Sequence, residues 1–106
     1  MTKTITLEEY QTHLDNQDMF VLDFHASWCG KCVEMMPIVK QVAEKIGEHI
    51  PVYTVDIDAQ PELKEKARIK AIPMMTIMNK GHMRNFVFGV ATEEAIMKKI
   101  NLVSNA

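Results

Sequence analysis

Two cysteines, the only ones in the chain, stand two residues apart in Trp28-Cys29-Gly30-Lys31-Cys32. Thiols at that spacing can close a small disulfide ring. They directly follow an apolar run and precede a helical pattern, which puts Cys29 at a helix N-terminus. Free backbone N–H groups and the helix dipole there favour an anion, lower a thiol pKa and supply thiolate, the form that attacks disulfides. The same spacing also serves zinc knuckles and haem attachment, so the pair alone leaves metal binding open. Asp23 interrupts the run Phe20-Val21-Leu22-Asp23-Phe24. A carboxylate on a strand buried on both faces loses hydration, and with no cation beside it its pKa rises. It can then serve as proton acceptor and donor for Cys32; the competing reading is a strand-end charge facing solvent. Among nine methionines, Met35, Met36, Met74, Met75 and Met78 fall near the motif in sequence or expected space. Their sulfurs could join the cysteines around copper(I), but adaptable core filling is the favoured reading. His13, His49 and His82 are scattered and receive no role.

The elements that position these groups follow from periodicity. Met19 to His25 reads as a buried strand. Met35, Ile38, Val39, Val42, Ala43 and Ile46 then recur at helical spacing, with Pro37 as an internal kink and Gly47 as the terminator. Thr6-Leu7-Glu8-Glu9 has capping-box spacing, so an earlier helix runs from about Leu7 to Asp15. Val52 to Ile57 is a second buried strand, Pro61 opens a short helix through about Ala67, and Met74 to Asn79 is a third strand. Asn79-Lys80-Gly81-His82 is a hairpin turn into a strand at Met83 to Phe88. Thr92 caps a last helix that turns Ile96, Ile100 and Val103 inward, with Lys98 and Lys99 near its far end. Alternating strands and helices followed by a hairpin and a helix predict an α/β fold, a mixed sheet with helices on both faces.

At 106 residues the chain reads as one domain over 1–106, with no repeat, low-complexity tract or linker. A net charge of -2 argues against binding nucleic acid through phosphate contacts. The opening Met1-Thr2-Lys3-Thr4-Ile5-Thr6-Leu7-Glu8-Glu9 lacks the apolar stretch of a signal peptide, and no later segment is long enough to span a bilayer. A reducing cytoplasm is therefore expected, where a cysteine pair is more often catalytic than a structural staple.

In Trp28-Cys29-Gly30-Lys31-Cys32, Val21-Leu22-Asp23-Phe24, Pro37, Val55-Asp56-Ile57-Asp58, Ile72-Pro73 and Gly89, in that relation along the chain, the sequence resembles the thioredoxin family. The resemblance implies the thioredoxin fold and a dithiol–disulfide oxidoreductase that reduces protein disulfides. Cys29 would be the nucleophile that forms a mixed disulfide, Cys32 the resolving thiol and Asp23 its proton partner. Ile72-Pro73 would be the family's cis-proline. Trp28, Gly30, Lys31, Ile72, Pro73, Gly89 and Val90 would surround the bound protein substrate. No bound cofactor or metal is implied; electrons would come from a thioredoxin reductase, a flavoprotein using NADPH, and the protein would act as a monomer.

Four residues depart from the family pattern: Lys31 replaces the usual Pro, His25 a frequent second Trp, Met74 a common Thr, and Thr54 a Lys that often partners the strand Asp. Thr54 bears on the tuning of Asp23. Lys31 bears on the redox potential, which keeps a more oxidising disulfide-forming relative as an alternative. Another is a metal-binding or interaction module using Cys29, Cys32 and His25.

Overall fold

The computed structural model describes residues 2–106. In chain order the elements are β1 (Lys3–Thr4), α1 (Leu7–Asp15), β2 (Phe20–His25), α2 (Gly30–Ile46), β3 (Val52–Asp56), α3 (Pro61–Lys66), β4 (Met74–Asn79), β5 (His82–Phe88) and α4 (Glu93–Ser104). The strands form one mixed sheet in the order β1-β3-β2-β4-β5. β3 lies parallel to both β1 and β2, whereas β4 runs antiparallel to β2 and β5.

Strand alternation separates two apolar layers. Phe20, Leu22, Phe24 and Met78 pack on one face with Tyr10 of α1 and Leu63 of α3. Val21, Met75, Ile77 and Val87 pack on the other with Met35, Val39, Val42 and Ala43 of α2 and Ile96, Ile100 and Val103 of α4. β2 is buried throughout until His25, which explains its continuous apolar run.

Sequence-encoded caps hold the helices at their expected starts. At α1 the Glu9 amide donates to Thr6 Oγ1 at 3.1 Å and the Thr6 amide to Glu9 Oε1 at 2.9 Å, the reciprocal capping box. The Ala95 amide donates to Thr92 Oγ1 at 3.1 Å before α4. Pro37 lies inside α2, which ends at Gly47 as expected but for a different reason. Gly47 is right-handed (φ -59), and a Cβ there would press on the Ala43 carbonyl, so close approach demands glycine.

Several boundaries shift by one residue. β2 begins at Phe20 rather than Met19, β3 ends at Asp56 rather than Ile57, and α3 ends at Lys66 with Ala67 as its cap. β5 begins at His82 because the hairpin turn is only Lys80-Gly81, both left-handed (φ 54 and 82), the pairing of a type I′ turn. Ile38 and Ile46 are half-buried at the edge of their layer. β1 was not anticipated: two exposed residues have no periodicity to detect and are strand only by pairing with β3.

Candidate active site

The site is assembled at one end of the sheet. β2 and β3 both finish there, and the Ile57 amide donates to the His25 carbonyl at 2.9 Å to join their exits. Antiparallel pairing of Phe24 with Met74 brings the start of β4 to the same place, and pairing of Met74 with Phe88 adds the end of β5. The loop after β2, the Ile72-Pro73 loop and Gly89-Val90 therefore converge. Carboxyl ends of strands are where α/β sheets place their chemistry.

Cys29 is the N-cap of α2, in extended conformation (φ -92, ψ 106). The Cys32 amide donates to Cys29 Sγ at 3.2 Å, so a backbone N–H of the first helical turn is aimed at the sulfur where thiolate charge would develop. Cys29 and Cys32 are joined by a disulfide, with their Cα atoms 5.2 Å apart. Cys29 retains 9% of its surface and Cys32 only 2%. Gly30 and Lys31 between them are exposed.

Asp23 is 2% exposed and its Oδ1 has no hydrogen-bond partner. It lies between Thr54 on β3 and Met75 on β4, neither of them a cation, and among the described residues it joins no ion pair. Burial pushes its carboxyl up to about 7. The alternative of a strand-end charge facing solvent is therefore overturned: Asp23 is mid-strand and inside.

The remaining residues singled out from the sequence divide by exposure. Trp28 is 68% exposed and Val90 39%. Ile72 and Gly89 are half-buried and Pro73 is buried, its ring covered while its carbonyl accepts from the Gly89 amide at 2.9 Å. The Ile72-Pro73 peptide is cis. Sequence reasoning gave Asp58 no role, yet its Oδ2 accepts from Trp28 Nε1 at 2.7 Å and ties the indole to the turn after β3. Asp58 is itself held by its amide donating to Asp56 Oδ1 at 2.9 Å. Only the Asp-x-Asp spacing of an Asx turn hinted at it. Val33 and Phe88, 59% and 58% exposed, extend the apolar surface beyond the expected rim.

Met35, Met75 and Met78 are core residues, as the filling role requires. Among the described residues no three His, Cys, Asp or Glu side chains stand close enough to hold a metal ion. No described helix is long and apolar enough to cross a membrane.

A redox-active dithiol at the N-terminus of a helix, on a mixed sheet of this order, defines a thiol–disulfide oxidoreductase. The chain belongs to the thioredoxin family, whose profile matches residues 1–102. It is 31% identical to an H-type thioredoxin of Fagopyrum esculentum over 91 residues, 86% of this chain and 78% of that one. It is 30% identical to the chloroplastic thioredoxin Y1 of Arabidopsis thaliana over 92% of its own length, but spans only 58% of that protein. The fold matches the crystal structure of Malassezia sympodialis thioredoxin with a TM-score of 0.86, at 22% identity, covering 96% of this chain and 90% of that one.

Proposed function

We propose that the protein reduces disulfides of other proteins, acting as one domain and as a monomer without a bound cofactor. The observation that carries this reading is the placement of Cys29: an N-cap sulfur receiving a helix N–H, more open than the disulfide partner behind it. In the reduced form, Cys29 thiolate attacks one sulfur of a substrate disulfide; that S–S bond breaks and the other substrate sulfur leaves as thiolate. Cys32 then gives its proton to the Asp23 carboxylate, which a pKa of about 7 suits to the task, and attacks Cys29 Sγ. The mixed disulfide breaks, the substrate leaves with two electrons, and Cys29–Cys32 is the oxidised product. A separate flavoprotein reductase using NADPH would return the electrons. Trp28, Gly30, Lys31, Ile72, Pro73, Gly89 and Val90 would receive the substrate chain. The cytoplasm suits a couple that must be kept reduced, although the matched Arabidopsis relative is chloroplastic.

Trapping tests the order of the thiols. Cys32→Ser should accumulate mixed disulfides with substrate proteins on non-reducing gels and Cys29→Ser almost none; equal trapping by the two variants would refute the assignment.

A further inference from the structure

The α1/α3 face of the sheet is only partly covered. Tyr10 of α1 and Leu63 of α3 pack with Phe20, Leu22 and Phe24 of β2, and α3 is six residues long before Arg68, in left-handed conformation (φ 59), turns the chain away. What remains is a cleft of about 570 Å³. Met74, Thr76 and Met78 of β4 form its floor, and Met83 and Phe86 of β5 one wall. Met83 and Phe86 are 52% and 46% exposed, large apolar surfaces open to solvent.

Charge distinguishes this cleft from the chain as a whole, which is net negative. Lys66, Arg68 and the His82 imidazole line it, and no carboxylate does among the described residues. Lys99 of α4 lies outside this lining, its ammonium 5.6 Å from the Phe86 ring centroid and donating to the Phe86 carbonyl at 2.9 Å. The Phe86 amide donates to Asn85 Oδ1 at 2.9 Å. Both backbone groups of Phe86 are thus occupied by side chains of the chain itself, which opposes strand addition at this point of the β5 edge.

The cleft adjoins the redox-site loops at Met74. Met74 follows Pro73 directly and pairs with Phe88, which precedes Gly89. From Met74 to Met78 the floor runs about 13 Å at roughly 3.3 Å per strand residue. An extended chain whose cysteine sat at Cys29 would lay residues about three to six positions away over it.

We propose that this cleft selects among protein substrates, receiving a segment near the target cysteine that carries large apolar side chains together with aspartate or glutamate. The apolar groups pack on the Met and Phe side chains, and the carboxylates meet Lys66 and Arg68. The proposal rests on the disulfide-reductase reading above.

The test uses disulfide-bonded peptides that differ only three to six residues from the cysteine, placed on either side of it: Asp-Leu-Phe-Glu, Lys-Leu-Phe-Lys and Asp-Ser-Ser-Glu. Each kcat/KM is divided by the same protein's rate on hydroxyethyl disulfide, too small to reach the cleft. At low salt the acidic apolar peptide should exceed both others by about tenfold. Arg68→Glu should erase its advantage over the lysine peptide, and Phe86→Ser its advantage over the serine peptide. Equal normalised rates for the three peptides, or a preference blind to charge, overturn the proposal while leaving the reductase reading intact. Failure to reduce any peptide or hydroxyethyl disulfide overturns the reductase reading and the proposal with it. A dimer in light scattering that Phe86→Ser dissociates would assign the face to a second copy and also overturn it.

Discussion

Asp23 sets a pH dependence that the folded protein cannot avoid. Below about pH 3.8 the carboxyl is protonated folded or unfolded, and its contribution to stability is fully present. As pH rises toward and past about 7, the folded protein must hold either a proton the unfolded chain has released or a buried anion. Stability is lost across that window, by on the order of 4 kcal/mol. Asp23→Asn removes the ionisation but adds an amide donor that also needs a partner, so the net gain is smaller. Urea midpoints should show the variant stabilised by about 1–3 kcal/mol at pH 8 relative to wild type and little changed at pH 4, with slower release of substrate from the mixed disulfide. An equal shift at both pH values would mean that the anion costs nothing in the folded state. Thr54, the β3 neighbour of Asp23, leaves burial unopposed by any paired cation.

At the scale of an element, the first turn of α2 concentrates the tuning of the couple. Lys31 is exposed two residues beyond the N-cap sulfur, and a cation there favours thiolate over the uncharged disulfide, making the couple more oxidising. Proline is tolerated at this position because first-turn N–H groups lack helical partners. Lys31→Pro should therefore yield a more reducing protein, by up to about 20 mV since an exposed helix end is screened. Equilibration against glutathione measures it, and an unchanged or more oxidising variant would show that the ammonium tunes nothing. The start of this helix, the cap at Thr6 and the strand carrying Asp23 were legible because they depend on residues within one turn or one alternation of each other. Asp58 under Trp28 was not, since its meaning comes from β3 ending beside β2. The Met/Phe cleft was not either: Met83 and Phe86 look like ordinary strand residues until the strand order puts them on the last strand, where they stay exposed. His13 also acquires its partners only in the fold, where its ring bridges the Asp18 carboxylate at 2.9 Å and the Tyr53 hydroxyl at 2.7 Å.

For the whole molecule, the sheet is a wall between two apolar layers that share no side chain, one under α1 and α3 and one under α2 and α4. Ile100 and Leu63, each 1% exposed, belong to opposite layers, whereas Ile100 and Val39 belong to the same one. Close packing transmits a lost methyl group to its neighbours within a layer, but a hydrogen-bonded sheet resists passing the shift through. Leu63→Ala should cost about 2–5 kcal/mol and Ile100→Val about 0.5–1.5, from the lost burial and the cavity left behind. In urea denaturation of the oxidised protein the two should add to within about 0.5 kcal/mol. Val39→Ala combined with Ile100→Val should depart from additivity by more than that, because both lie in the one layer packed beneath α2 and α4. Coupling as large across the sheet as within a layer would show that the two cores relax as one, and the cleft beside β4 and β5 would then respond to changes beneath α4.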